Sequence, residues 1–437
     1  MLKDVPSWAL YPQSLSPSVC DPYTFDLVQY GRLLDENSRR LFVEEEEMRI
    51  KIIEVGLQGE QLPLGALDTA DCLLRPELII STFEELENYL DSSQFNGLRI
   101  ILVPQRFSWD RLMISDRALR RLAHHLYIFP PFLDLLQAFG ERTSSDSDSD
   151  GGHRSYTRGQ AFECSYLNKT AEEHGREDVE DPWSIRQMGV YFQHDTQRDS
   201  STVIVINPLR SFLRRLKAAQ NDTGDPPGWR EIHRLALSCS THPWTAYISH
   251  LESQMTQLKT RAHLSSVSEK EPTASSPAVR IEFEDTQDVK VLEDKLHKIS
   301  HILNTNLKIC KQVGDLSAHH DLFQHPATVQ PMPLGSATLH FVREMEEQLE
   351  RVLTLKQRTE AVSDLMQKII AFRALAALKT SSSMSTEIAR LAQSDNKMMI
   401  DLAIKSRDDA RTLKTITILT MVYLPAAFVS AVVADMY

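Results

Sequence analysis

Cysteine is scarce in this chain. Its 437 residues include five, Cys20, Cys72, Cys164, Cys239 and Cys310, widely separated and odd in number. They form neither a disulfide framework nor a C-x-x-C metal site, which points to a reducing compartment for the bulk of the chain. An excess of positive charge is also missing. The net charge is −12, which leaves no basic face for a nucleic-acid partner. The first residues, MLKDVPSWALYPQ, lack the apolar core of a signal peptide. No glycine-rich phosphate loop, nucleophile elbow or catalytic-triad spacing is present, which argues against an enzyme.

Charge itself is missing from one long run. Residues 416–434, ITILTMVYLPAAFVSAVVA, contain no charged side chain. As a helix at ~1.5 Å per residue the run is about 28 Å long, close to the ~30 Å hydrocarbon core of a bilayer. It has no polar face, with only Thr417, Thr420 and Ser430 scattered through it. A transmembrane helix is the expectation; the alternative is a core helix of a soluble protein. The remainder, in a chain 42% apolar and 25% charged, has ordinary globular composition, and the length predicts two to three domains.

Across residues 1–220, short apolar runs alternate with helical patterns. Strands are expected at 50–55, 77–80, 98–103, 188–192 and 202–206. The runs Ile-Leu-Val and Val-Ile-Val-Ile suit strands buried on both faces. Thr82 and Glu85 form a capping-box pattern, Ser115 can cap a second helix, and Pro130-Pro131 can open a third that ends at Gly140. Asp181-Pro182 reads as another helix start, with a carboxylate N-cap and proline at N1. The fold class expected is a mostly buried α/β sheet domain at the N-terminus, followed by a long helical stalk running into one transmembrane helix.

From Pro208 onward strand signals nearly vanish. Helices are expected at 229–263, 285–314, 337–378 and 383–434, with linkers at 221–228, 265–277 and 319–335. The domains expected are therefore 1–220 (cytosolic α/β), 229–314 (helical), 337–415 (stalk) and 416–434 (membrane). Val342, Met345, Leu349 and Val352 recur at heptad-like spacing, as do Ile388, Leu391, Met398, Leu402, Leu413 and Ile416. Asp395 and Asp409 occupy intervening seam positions. That is the pattern of a packed or coiled helical stalk. Lys405, Arg407, Arg411 and Lys414 precede the apolar run, with Asp408 and Asp409 among them, so the positive-inside rule places that side in the cytoplasm.

A stalk continuing without a break into Leu413-Lys-Thr-Ile-Thr-Ile-Leu-Thr-Met-Val-Tyr-Leu-Pro-Ala-Ala-Phe-Val-Ser430 resembles the CorA family of divalent-cation channels. The match is to the family's first transmembrane helix, with Pro425, Phe428, Val429 and Ser430 at its marker positions. Phe129-Pro-Pro-Phe-Leu-Asp134, Asp181-Pro-Trp-Ser-Ile-Arg-Gln187 with Gly189-Val-Tyr191, Val103-Pro-Gln-Arg106 and Ser394-Asp-Asn396 resemble the fungal CorA-like proteins. The resemblance implies a homo-pentamer in a lipid bilayer, with Mg²⁺ passing along an axis lined by Leu413, Ile416, Leu424, Ala427 and Ala431. It implies no cofactor beyond a regulatory Mg²⁺ between subunits, for which Asp395 and Asp409 are the candidates.

The pattern departs from the family in three ways. Ala434, Asp435 and Met436 stand where Gly-Met-Asn is expected, and shifting the register puts Tyr437 at the Asn position. The lining is nearly devoid of oxygen, which favours dewetting over conduction. No second transmembrane helix follows. Two explanations are open: a degenerate member that does not conduct, or a truncated C-terminus arising from intron read-through after Ser430. Two further readings stay open: a membrane-tethered oligomeric interaction protein without transport, and a soluble helical protein.

Other signals are weaker. Asp146-Ser-Asp-Ser-Asp-Gly151 mimics the start of an EF-hand, but His153 and Thr157 stand at positions 8 and 12, so a solvated loop with modifiable serines is expected. His297 and His301 share a helical face without a third ligand and are read as solvated or core residues.

Overall fold

The structure is a computed structural model. It describes residues 6–56, 77–92, 97–142, 152–159, 161–176, 181–198, 200–222, 227–265, 280–321 and 334–435. The EF-hand-like segment 146–151, Cys72, Met436 and Tyr437 lie outside the described residues.

In chain order the elements are α1 (Leu27–Leu41), β1 (Ile50–Gly56), β2 (Leu78–Ile80), α2 (Phe83–Ser92), β3 (Gly97–Val103), α3 (Asp116–His125), α4 (Phe132–Gln137), β4 (His153–Arg158), β5 (Ala161–Glu173), β6 (Trp183–Asp195) and β7 (Ser200–Ile206). Helices α5 (Arg210–Asp222), α6 (Trp229–Thr241), α7 (Trp244–Leu264), α8 (Phe283–Asp321) and α9 (Leu334–Ala434) follow. The chain divides into two compact units, one of residues 1–258 with 287–361 and one of residues 259–286 with 362–437.

In the first unit the seven strands form one sheet in the order β2-β1-β3-β7-β6-β5-β4. Only β3 and β7 pair in parallel; every other neighbouring pair is antiparallel. The sheet is buried on both faces, as its continuous apolar runs required. Alternate residues divide between two cores: Ile52, Ile101, Val103, Tyr191 and Ile204 pack on one side, and Ile53, Ile100, Leu102, Val190 and Val203 on the other. The expected N-terminal sheet domain and long C-terminal helix with one apolar span are both present.

Local capping follows the sequence closely. Glu85 N–H donates to Thr82 Oγ1 at 3.2 Å, and Thr82 N–H returns the bond to Glu85 Oε2 at 3.3 Å, which completes the capping box of α2. Ser115 Oγ accepts from Ala118 N–H at 3.2 Å at the start of α3.

Three expectations change. Asp181-Pro182 opens a strand: the Asp181 carboxylate accepts from Trp183 N–H at 3.0 Å and delivers the chain into β6. An Asx turn and an N-cap use the same carboxylate-to-amide bond, so the dipeptide alone does not choose between them. The helix expected at 229–263 is broken at His242-Pro243 into α6 and α7. The two helices expected at 337–378 and 383–434 are one, α9, with no break at Thr380-Ser-Ser-Ser383. There the hydroxyls turn back on the helix: Thr380 donates to Ala376 O at 3.1 Å, and Ser383 to Thr380 O at 2.7 Å.

Strands β4 and β5 carry no strand signal in the sequence. β4 is a polar edge, and β5 buries Glu163, Ser165, Asn168, Lys169 and Thr170 among its apolar residues. Beyond Tyr166, β4 no longer pairs with β5. The side chain of Asn306 on α8 takes its place, accepting from Lys169 N–H at 3.3 Å and donating to Lys169 O at 2.6 Å. Asn168, next to Lys169 on β5, is fully buried.

Candidate functional site

The residues expected to carry function lie on the part of α9 within the second unit, where every residue from 377 to 435 is exposed. At ~100° per residue, Leu413, Ile416, Leu424, Ala427 and Ala431 fall within an arc of about 80° on the helix surface. The same arc contains Ile388, Leu391, Met398 and Leu402, together with Asp395 and Asp409. One stripe therefore joins the stalk seam to the apolar span. Ala434 closes the helix at its end of the stripe, and Asp435 N–H bonds to Ala431 O at 3.0 Å in the turn that follows.

The stripe also holds a residue that the sequence reading left out. Thr420 lies four residues from both Ile416 and Leu424, inside the same arc. Its single hydroxyl proton is shared between Ile416 O at 3.0 Å and Thr417 O at 2.9 Å, which leaves both lone pairs of the one side-chain oxygen on this face of the span unused by the helix. The signal was legible as helical periodicity. It was missed because Thr420 was grouped with Thr417 and Ser430, which fall outside the arc.

The serine and threonine hydroxyls of the span all donate within the helix. Thr417 donates to Leu413 O at 2.7 Å and Ser430 to Ala427 O at 2.9 Å. This internal satisfaction is what a hydrocarbon environment demands. Pro425 interrupts the ladder, because its ring nitrogen has no proton for the Met421 carbonyl. An 18-residue window of α9 reaches a mean hydropathy of 2.1, and none of that window is buried within the chain.

The family-like pieces of the first unit are packing devices. Phe129 N–H and Tyr191 Oη–H both donate to the buried Glu163 carboxyl, at 3.0 and 2.7 Å. Burial pushes that carboxyl up, opposed by Tyr191, Arg158 and the Phe129 amide. The Phe132 ring stands edge-on to Tyr191 at 5.2 Å. A Cβ at Gly189 would lie 3.2 Å from Leu135 Cδ2 on α4, so the glycine lets α4 press against β6. Asp181 meets Lys295 Nζ at 2.5 Å. Burial raises the Asp181 carboxyl, but Lys295 and the Trp183 amide outweigh it and the net shift is downward. Gln187 donates to Ala138 O at 2.5 Å, and Gln105 to Asp110 O at 2.6 Å.

A groove of about 390 Å³ is lined by Glu252, Glu347, Glu350, Arg351, Thr354 and Leu355. Its Arg351 and Glu252 pair with each other at 2.9 Å, which occupies part of its charge. His297 and His301 lie exposed on α8.

A family model described as CorA-like transporters matches residues 5–263, more than half of the chain. The chain belongs to the CorA-like family. Among solved structures, the complete CorA magnesium transporter from Methanocaldococcus jannaschii matches at 12% identity and a TM-score of 0.37, covering 76% of this chain and 80% of that one. The full-length CmaX protein matches at 11% identity and a TM-score of 0.43, with 78% and 83% covered. The ZntB cytoplasmic domain from Vibrio parahaemolyticus matches at 6% identity and a TM-score of 0.36, with 66% and 91% covered. No curated protein matches the sequence.

Proposed function

We propose that this chain is a membrane protein of the divalent-cation transport class, with Mg²⁺ as the cargo, and that the apolar constriction on α9 holds it non-conducting. The observation that carries the reading is a charge-free, fully exposed segment of membrane length at the end of α9 in a CorA-like chain. Copies of the chain pack their α9 stripes around a common axis, as a pentamer by family resemblance. Leu413, Ile416, Leu424, Ala427 and Ala431 then face that axis, with Thr420 as its only hydroxyl. A ring of aliphatic side chains repels water and with it a hydrated cation, which Mg²⁺ remains because it sheds water reluctantly. Lys405, Arg407, Arg411 and Lys414 place the large N-terminal part on the cytoplasmic side. Asp395 and Asp409, on the same stripe, are placed to share a regulatory Mg²⁺ between copies.

The test is Mg²⁺ uptake into liposomes containing the purified chain and a trapped Mg²⁺-sensitive dye. The wild type is expected to show no uptake, and Leu424→Ser, which wets the constriction, is expected to admit Mg²⁺. Uptake by the wild type would overturn the non-conducting reading and leave the transport class standing.

The apolar stripe equally favours a second reading, a membrane-tethered oligomer that acts through interactions alone. That reading expects cross-linked oligomers for both proteins and no uptake through either.

A further inference from the structure

A second set of cation-binding groups lies in the first unit, away from the α9 stripe. The corner between α6 and α7 presents His242, and the first turns of α9 present His340 and Glu344 four residues apart on one helical face. His242 Nδ1 lies 2.9 Å from Glu344 Oε1, and His340 Nε2 lies 3.8 Å from Glu344 Oε2. The two imidazole rings are 6.5 Å apart. Glu344 Oε2 is shielded from solvent and has no hydrogen-bond partner.

The carboxylate is held in place from behind. Gln348, one turn further along α9 and only 2% exposed, donates to Glu344 Oε1 at 3.3 Å. The same amide donates to Thr245 Oγ1 at 3.1 Å and to Thr241 O at 3.3 Å. It therefore ties the carboxylate to the α6–α7 corner that carries His242. The Phe341 ring closes one side, 6.2 Å from the His242 ring.

We propose that His242, His340 and Glu344 bind one transition-metal ion of the zinc class. A metal about 2.0–2.1 Å from each ligand in tetrahedral geometry places neighbouring ligand atoms about 3.3 Å apart. The two rings flank the carboxylate, His242 Nδ1 2.9 Å from one oxygen and His340 Nε2 3.8 Å from the other. As they stand, no three such side chains among the described residues are arranged to hold a metal ion, these three included, so binding requires them to move. The adjustment required is an approach of the two rings by about 1 Å, set by the same ligand geometry. His340, 72% exposed at its side chain, is free to rotate toward the buried carboxylate. Two imidazoles and one carboxylate suit Zn²⁺ and Co²⁺, whereas Mg²⁺ takes oxygen ligands and keeps its water. Gln348 plays the supporting part usual for a metal-ligating carboxylate. Bound metal fastens the start of α9 to the α6–α7 corner, and water fills the fourth position.

The test is titration of the untagged, EDTA-treated full-length chain in detergent with Co²⁺, read by visible ligand-field absorption. One Co²⁺ per chain is expected, displaced by Zn²⁺ and retained in a thousandfold excess of Mg²⁺. His340→Asn and Glu344→Gln are expected to lose the signal, and Gln348→Leu to weaken binding by about 10–100-fold. A chain with both His297→Asn and His301→Asn is expected to bind normally. Because the His340 side chain is largely in solvent, the metal-free His340→Asn chain is expected to melt with the wild type, which separates lost ligation from lost folding. Absence of stoichiometric Co²⁺ binding, or equal binding by His340→Asn, would overturn the proposal and leave His242–Glu344 as a plain polar tie between helices. The assay reads no flux, so its result is independent of the transport reading.

Discussion

The sheet unit and the C-terminal half of α9 treat apolar surface in opposite ways. In the first, large side chains such as Phe132, Phe192 and Trp244 are at most 2% exposed, and both faces of the sheet are covered by the chain itself. On α9 from residue 377 onward nothing is covered, though the segment includes Ile388, Leu402, Leu419, Val422 and Phe428. The folding of the sheet unit is thus driven by burial within one chain, whereas this part of α9 presents an apolar surface that the described residues leave in contact with solvent.

That contrast can be tested at five positions. The largest effect is expected from acid acting on the sheet unit. Burial, with a smaller push from His153, holds His233 down at about 3, against the ordinary 6.5. A depressed histidine keeps its full stabilising contribution above about pH 6.5 and loses it as the pH falls toward 3, because the unfolded chain takes up the proton first. The loss is on the order of 4 kcal/mol. Denaturant unfolding followed by tryptophan fluorescence should show this acid limb in the wild type and a much smaller one in His233→Gln. An unchanged limb would assign the acid sensitivity to other groups.

Next, Phe132→Ala should cost about 3–5 kcal/mol in the same experiment, as a core truncation does. Leu402→Ala, at an exposed α9 position, should leave the unfolding of the sheet unit within about 0.5 kcal/mol of the wild type. Equal losses would mean that α9 is not energetically separate from the core. Placing a charge in the span, as in Val422→Arg, should cost about 2.5–3.5 kcal/mol of insertion free energy. The readout is the fraction of protein that resists extraction from membranes by alkaline carbonate, which should fall. Smallest of the losses, Asn306→Ala removes the two side-chain bonds to the Lys169 backbone and should cost about 1–3 kcal/mol. Faster amide exchange at Lys169 than at the β5–β6 ladder would show that the edge has opened.

Much of the fold was legible in the chain. The runs at 98–103 and 202–206 could only be strands buried on both faces, and the Thr82–Glu85 box and the Ser115 cap form as their local chemistry requires. Illegible segments share a cause: polar residues whose partners are distant in sequence. β5 hides as a strand because Glu163 and Lys169 look like surface residues until Tyr191 meets the first and Asn306 of α8 the backbone of the second. Asp181-Pro182 was misread because one carboxylate–amide bond serves both a helix cap and a turn into a strand. The candidate stripe on α9 was legible from periodicity, Thr420 apart. The His242–His340–Glu344 cluster was not, since His242 and Glu344 are 102 residues apart.

The sequence by itself determined the charge-free span, the strands at 98–103 and 202–206 and the helical character of the described segments after Pro208, because composition and periodicity act within a turn or a strand. Only the tertiary structure decided the pairing order of the sheet, the single parallel contact between β3 and β7, the role of Asn306 as a substitute strand and the meeting of two histidines around Glu344. Those depend on which surfaces exclude water together, and that is a property of the packed chain rather than of any one segment.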